Sequence, residues 1–277
     1  MSALDLSAMF DRSALVVAHP DDEALWFSSI LERVDKLLIC FMDMPSRPDW
    51  SEGRRRCVAS YPLRNVAFLG LQESAAFNSA NWLAPEPTTF GLKVSRRRGT
   101  LPGFSDERYR ANYSDLKTQL SDRLRTCRNV FTHNPWGDYG HEEHVQVFRA
   151  IREVQRIAGF KVWFSNYCSN KSYNLMLEHI SGFEGSYVTM ACNDELGKSL
   201  MRLYKQNNCW TWFDEYNWFS EECFMSAETE MRTGPDYGRI FPLNFIKLDL
   251  EKEKQPKKTD RWTDVTRKIA RRMQNGL

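Results

Sequence analysis

The sequence predicts an α/β protein, a mostly parallel sheet with helices on both faces. Three observations predict it. Five short apolar runs have strand length, and most carry β-branched or aromatic residues. Stretches with apolar residues at helical spacing separate most of these runs, and strands alternating with helices argue for a parallel sheet. The 277-residue chain is 42% hydrophobic with nine Trp, enough apolar material for one large core.

In chain order, residues 14–18 (ALVVA) predict the first strand, and Ala24, Phe27, Leu31 and Val34 recur behind it at helical spacing. Residues 36–42 (KLLICFM) and 65–69 (NVAFL) predict the second and third strands. A long charged helix over 106–127 (DERYRANYSDLKTQLSDRLRTC) leads into a fourth strand, residues 129–132 (NVFT). Residues 142–157 (EEHVQVFRAIREVQRI) place Val145, Phe148, Ile151 and Val154 close to one helix face, ahead of a fifth strand at 161–164 (KVWF). Two regions fit this alternation poorly. Residues 73–106 are rich in Pro, Gly, Ser and Asn and read as a long excursion, a feature that tends to be functional. Residues 207–225 (NNCWTWFDEYNWFSEECFM) are dense in aromatics and read as a packed C-terminal lobe in preference to a sugar-binding surface. The charged tail from residue 251 predicts a basic, solvated helix over 263–273.

The global balance excludes little but points one way. A net charge of +2 demands neither a nucleic-acid nor a membrane partner. Seven cysteines, an odd number with no CxxC pair, argue against a disulfide framework and for a reducing compartment. Asp5 and Asp11 stand where a signal peptide carries positive charge, and no run reaches the roughly 18 apolar residues of a membrane span. The expectation is a soluble, cytoplasmic protein.

Two loops carry the chemistry. The first strand runs straight into His19, Pro20, Asp21, Asp22 and Glu23. Carboxylates packed this closely repel one another, and near a buried strand end they need compensation. The fourth strand runs into THNPWGDYGHEEH, which holds His133, His141 and His144 and opens a predicted helix. In a parallel sheet both loops lie at the carboxyl edge, where ligands bind. A catalytic zinc site takes three protein ligands from His and carboxylate and leaves one position open. His19, one of Asp21 or Asp22, and one of His141 or His144 supply such a set. The remaining carboxylate is a ready general base, and the remaining histidine is suited to stabilise an oxyanion or protonate a leaving amine.

AHPDDE at the end of the first strand, with YGHEEH about 120 residues later, resembles the PIG-L (LmbE-like) family of metal-dependent N-acetylglucosamine deacetylases. The resemblance covers roughly residues 13–165. It implies a Rossmann-like three-layer sandwich and one domain over 1–277, with a core of about 13–165 and 166–277 as its extension. It implies His19, Asp22 and His144 as metal ligands, with Zn2+ as the default ion and Fe2+ compatible. Asp21 is then the general base, His141 polarises the substrate carbonyl or holds the oxyanion, and Tyr139 helps hold the tetrahedral intermediate. The implied partner is a small molecule or glycoconjugate bearing an N-acetyl amino sugar. Two departures stand out: Glu143 replaces an Asp common in the family, and no Arg for sugar contact is evident in residues 68–80 (FLGLQESAAFNSA).

Other readings apply to the neighbours. Glu23 is a first-turn helix carboxylate or a partner to a ligand histidine as readily as a ligand. His133 is a pocket wall or a structural hydrogen-bond former, and His179 falls near a helix end. Glu142 and Glu143 are expected to face solvent or the helix N-terminus, and the Arg54–Arg56 and Arg96–Arg98 runs to be solvated faces. The second run lies in the excursion with Trp82 and Phe90, where it is also placed to meet an anionic sugar conjugate. The functional expectation is a hydrolase removing an acetyl group from an amino sugar. Its rivals are a glycosyltransferase-like enzyme holding a metal-diphosphate on Asp21 and Asp22, and an inactive sugar-binding module on the same fold.

Overall fold

A computed structural model describes residues 6–96, 104–179, 183–227 and 242–249. The chain divides into Met1–Lys247, which carries every element below, and Leu248–Leu277, nearly all of which, with the helix expected at 263–273, lies outside the described residues.

Along the chain run α1 (Leu6–Phe10), β1 (Ser13–Val17), α2 (Asp22–Trp26), β2 (Lys36–Asp43), α3 (Pro48–Ala59), β3 (Val66–Gln72), α4 (Ala76–Ser79), β4 (Ala80–Thr88) and β5 (Gly91–Arg96). There follow α5 (Asp106–Leu124), β6 (Asn129–Thr132), α6 (Glu142–Ala158), β7 (Lys161–Ser165), β8 (Tyr167–Ser169), α7 (Tyr173–His179), β9 (Phe183–Ala191), α8 (Asp194–Gln206), β10 (Glu221–Ala227) and β11 (Asn244–Ile246). The main sheet has seven strands in the order β3-β2-β1-β6-β7-β10-β9. The pairs from β3 to β7 are parallel, and β10 runs antiparallel to both its neighbours. This is the expected Rossmann-like α/β architecture. Every residue of β1 and β6 is buried, as befits central parallel strands covered on both faces.

The chain winds outward from β1 through β2 to β3, then returns to lay β6 against the other side of β1. That reversal is the switch point where doubly wound sheets open a crevice. Val16 pairs with Thr132, so the loops after β1 and β6 leave the sheet side by side.

Two expectations change. The helix behind the first strand stops at Trp26. The Ser28 and Ser29 backbone amides and hydroxyls all donate to the buried Glu222 carboxylate on β10, instead of continuing a helical ladder. The excursion is also more ordered than its composition implies: it folds α4 and an antiparallel β4–β5 hairpin. Among the described residues, no helix is long and apolar enough to cross a membrane.

Candidate metal centre

The two loops are built to converge. Beyond β1, the Ala18 N–H donates to His133 Nε2 at 2.8 Å, which ties the first loop to the second. In the second loop Gly137 has φ 73°, and a Cβ there would lie 2.4 Å from the His141 carbonyl oxygen, so only glycine fits. The turn continues through Asp138, itself left-handed at φ 54°, and delivers His141 as the N-cap of α6. His144 then sits in the first helical turn.

Three side chains meet at the centre. His19 Nδ1 lies 3.3 Å from His144 Nε2 and 3.3 Å from Asp22 Oδ2, and His144 Nε2 lies 3.3 Å from Asp22 Oδ1. Carboxylates fix the tautomers from behind: His19 Nε2–H donates to Glu143 at 2.9 Å, and His144 Nδ1–H donates to Asp138 at 2.8 Å. The remaining ring lone pairs, on His19 Nδ1 and His144 Nε2, therefore face each other and the Asp22 carboxylate, an arrangement that repels itself unless a cation lies between. A tetrahedral ion with bonds of roughly 2.0–2.1 Å needs ligand separations of about 3.3–3.4 Å. The residues present fit a divalent metal. Without one, a proton must serve: burial opposes charge on His19, but Glu73, Asp22 and Glu143 raise its pKa to about 10.

His19, His141 and His144, or Asp22, His133 and His144, also bring ligand atoms within 4.8 Å of one another. His133 is nevertheless structural: its Nε2 lone pair takes the Ala18 N–H, and its Nδ1–H donates to Asp138 at 2.5 Å. His141 Nδ1 accepts the Glu143 N–H at 3.2 Å, which leaves the hydrogen on Nε2. Burial and the neighbouring His19 and His144 hold its pKa well below the usual imidazole value, so it is a neutral donor.

Asp21 stands beside Asp22 with a left-handed φ of 101°, a strained conformation of the kind that clusters at functional sites. Its Oδ2 accepts from the Thr211 amide and hydroxyl. Burial and Asp22 push its carboxyl up to about 8, while Thr211 and Arg54 pull the other way. Glu23 is neither ligand nor histidine partner; it accepts the Asp21 N–H and the Tyr61 and Tyr204 hydroxyls. The walls are aromatic. Phe77 stacks on His141 at 5.0 Å and 7°, Tyr139 packs against Trp212 at 4.6 Å, and Trp212 meets Trp26 at 5.1 Å. The aromatic segment packs onto this wall through Trp212 and Tyr216, as the expected packed lobe would.

Several neighbours depart from expectation. Glu142 and Glu143 are fully buried: Glu143 carries Ser74 and His19, and Glu142 pairs with Arg96. Arg54 is buried against Glu73 at 2.5 Å, whereas Arg55 and Arg56 are exposed as expected. Arg96 also stacks on Phe104, so its charge is already engaged, and Arg97 and Arg98 lie outside the described residues. Sequence reasoning missed Asp138, Thr211 and Phe77. Only Asp138 left a signal, as an acidic residue inside the second motif.

Comparison with models of known families finds no match, and no curated protein matches the chain. Solved structures do. A deacetylase–teicoplanin complex from the teicoplanin biosynthesis pathway matches at 13% identity and a TM-score of 0.46, covering 78% of this chain and 98% of that one. A zinc-inhibited form of teicoplanin deacetylase matches at 15% and 0.45, with 78% and 98% covered. The deacetylase of A40926 pseudoaglycone matches at 13% and 0.46, with 78% and 96% covered.

Proposed function

We propose that this protein is a metal-dependent amide hydrolase that removes an N-acetyl group from an amino sugar or its glycoconjugate. One observation carries the reading: the His19 and His144 lone pairs and the Asp22 carboxylate face one another at 3.3 Å, with both tautomers locked from behind. The motif resemblance supports the same assignment. His19, Asp22 and His144 would hold a divalent ion, zinc by default and Fe(II) by ligand type, which would supply Lewis acidity and lower the pKa of water to about 7.

The remaining steps belong to the chain. Asp21 takes a proton from the attacking water, whose oxygen bonds to the amide carbon. His141, neutral with its hydrogen on Nε2, donates to the carbonyl oxygen as negative charge develops there. Tyr139, packed 5.4 Å from the His144 ring, closes the same face. The proton held by Asp21 then passes to the nitrogen, the C–N bond breaks, and acetate and the free amine leave. Phe77 and Trp212 line the wall beside His141 and Tyr139.

The test is mass spectrometry of N-acetyl amino sugars and their conjugates after incubation with zinc-loaded protein. Loss of one acetyl group with the wild type, and none with His144→Ala, is expected. A panel left intact by metal-loaded wild type overturns the reading.

A further inference from the structure

We infer that Thr211 is a positioning residue that sets which oxygen of Asp21 accepts the proton, an inference that rests on Asp21 being the general base. The Thr211 N–H donates to Asp21 Oδ2 at 3.1 Å and its hydroxyl donates to the same oxygen at 2.5 Å. The terminal torsion of an aspartate is broad, so rotamer preference alone does not fix its carboxylate plane. Two donors on Oδ2 fix it, and they leave Oδ1 as the oxygen with capacity to take a proton from water.

The backbone of Asp21 is held from the same part of the chain. Its N–H donates to Glu23 Oε2 at 3.0 Å, and Glu23 Oε1 accepts the hydroxyls of Tyr61 at 2.8 Å and Tyr204 at 2.6 Å. Tyr204 lies on α8, seven residues before Thr211. The chain turns between them through Asn208, at φ 57°, with the Cys209 N–H donating to the Tyr204 carbonyl at 3.0 Å. Trp212 then docks on Trp26 and Tyr139 and fixes Thr211 in place. The turn after α8 holds the Asp21 carboxylate directly, and the end of α8 braces its N–H through Glu23. The turn and the helix lie outside residues 13–165, so the C-terminal extension, which carries none of the metal ligands, completes the base.

A purely structural Thr211 would tie down the turn without reaching the chemistry. Four measurements on the full-length protein test the assignment, the first reading the contact itself and the other three its reach into the chemistry. In hydrogen exchange read by mass spectrometry, Asp21→Ala should speed exchange in the segment 209–213, whether or not any substrate is known. Thr211→Val should keep its zinc content yet lower kcat by roughly 10- to 100-fold, with KM nearly unchanged, on the N-acetylglucosamine conjugate that wild type turns over fastest. Thr211→Ser should restore most of kcat. In an Asp21→Asn background, Thr211→Val should cost nothing further, because its effect travels through Asp21. Exchange at 209–213 indifferent to Asp21, or an equal loss from Thr211→Val in both backgrounds, overturns the proposal while leaving the hydrolase standing. Wild type inactive on every conjugate removes the hydrolase reading and this proposal together, a result distinct from either.

Discussion

Asp138 Oδ2 takes N–H groups from two imidazoles at once, His133 at 2.5 Å and His144 at 2.8 Å. Its other oxygen accepts from Asn134 and Ser165, so a fully buried carboxylate has every partner it needs. Asp138→Asn would turn an N–H toward one of these donors and loosen the His144 ring. The expected result is a zinc affinity roughly 10- to 100-fold weaker, measured by competition with a chromophoric chelator, although no ligand atom is removed. Unchanged affinity would show that Asp138 serves the fold alone. The paired carboxylates divide the same way: Asp21→Asn should keep the metal and lose roughly 10²–10⁴ in kcat, while Asp22→Asn should lose the metal. An exchange of the two phenotypes would reverse the roles. At this scale the candidate ligands were legible because His19 and Asp22 share one short motif and His141 and His144 stand three residues apart at the start of α6. Asp138 was not, because its role depends on a left-handed turn that no propensity assigns to aspartate with certainty. Glu143 was misread for a related reason: a carboxylate in a first helical turn fits the helix dipole equally well whether it faces solvent or lies buried beneath His19.

The β-strands were the most legible elements. Those expected at 14–18, 36–42, 65–69, 129–132 and 161–164 appear as Ser13–Val17, Lys36–Asp43, Val66–Gln72, Asn129–Thr132 and Lys161–Ser165. The failure came where a remote residue overrides local pattern. Apolar spacing from Ala24 to Val34 speaks for a helix, but Glu222, nearly two hundred residues away, collects the Ser28 and Ser29 donors and breaks it. Glu222→Gln keeps the size of the side chain but turns an NH2 toward donors, and Glu222→Ala leaves them all unpaired. Either should destabilise by on the order of 3 kcal/mol, read as a lower urea midpoint at unchanged slope. No shift would mean that water replaces the carboxylate freely. His179, the last residue of α7, makes a pH-dependent contribution. Burial and Arg149 lower its pKa to about 4, and among the described residues neither ring nitrogen has a hydrogen-bond partner. The unfolded chain binds a proton near pH 6.5 and the folded one does not. This contribution is therefore whole above pH 6.5 and is lost as pH falls toward 4, on the order of 3 kcal/mol in all. His179→Leu should flatten stability against pH in that window, and an unchanged slope would remove His179 as the cause.

On the scale of the whole molecule, the switch point explains both why the fold can hold an ion and what the ion should do for the fold. The β1 and β6 loops are far apart in sequence and meet only because the chain reverses between them. At their junction Asp21, Asp22, Glu73, Asp138 and Glu143 are all buried, with Arg54 the buried guanidinium among them. Buried carboxylates in this number cost stability until a positive charge offsets them. A divalent ion on His19, Asp22 and His144 would offset that cost and also join two loops that the unfolded chain does not hold together. Binding to the folded state alone stabilises by about 2.7 kcal/mol at a free metal concentration of 100 times Kd. In a domain of this size that corresponds to a rise in Tm of roughly 5–11 °C. Chelation should therefore lower the Tm of the wild type by about that amount, and zinc should restore it. His144→Ala, lacking a ligand, should melt at the same temperature with or without chelator. If instead wild type and His144→Ala responded alike, the ion would be binding elsewhere, and the junction of the two loops would be held by protons and hydrogen bonds alone.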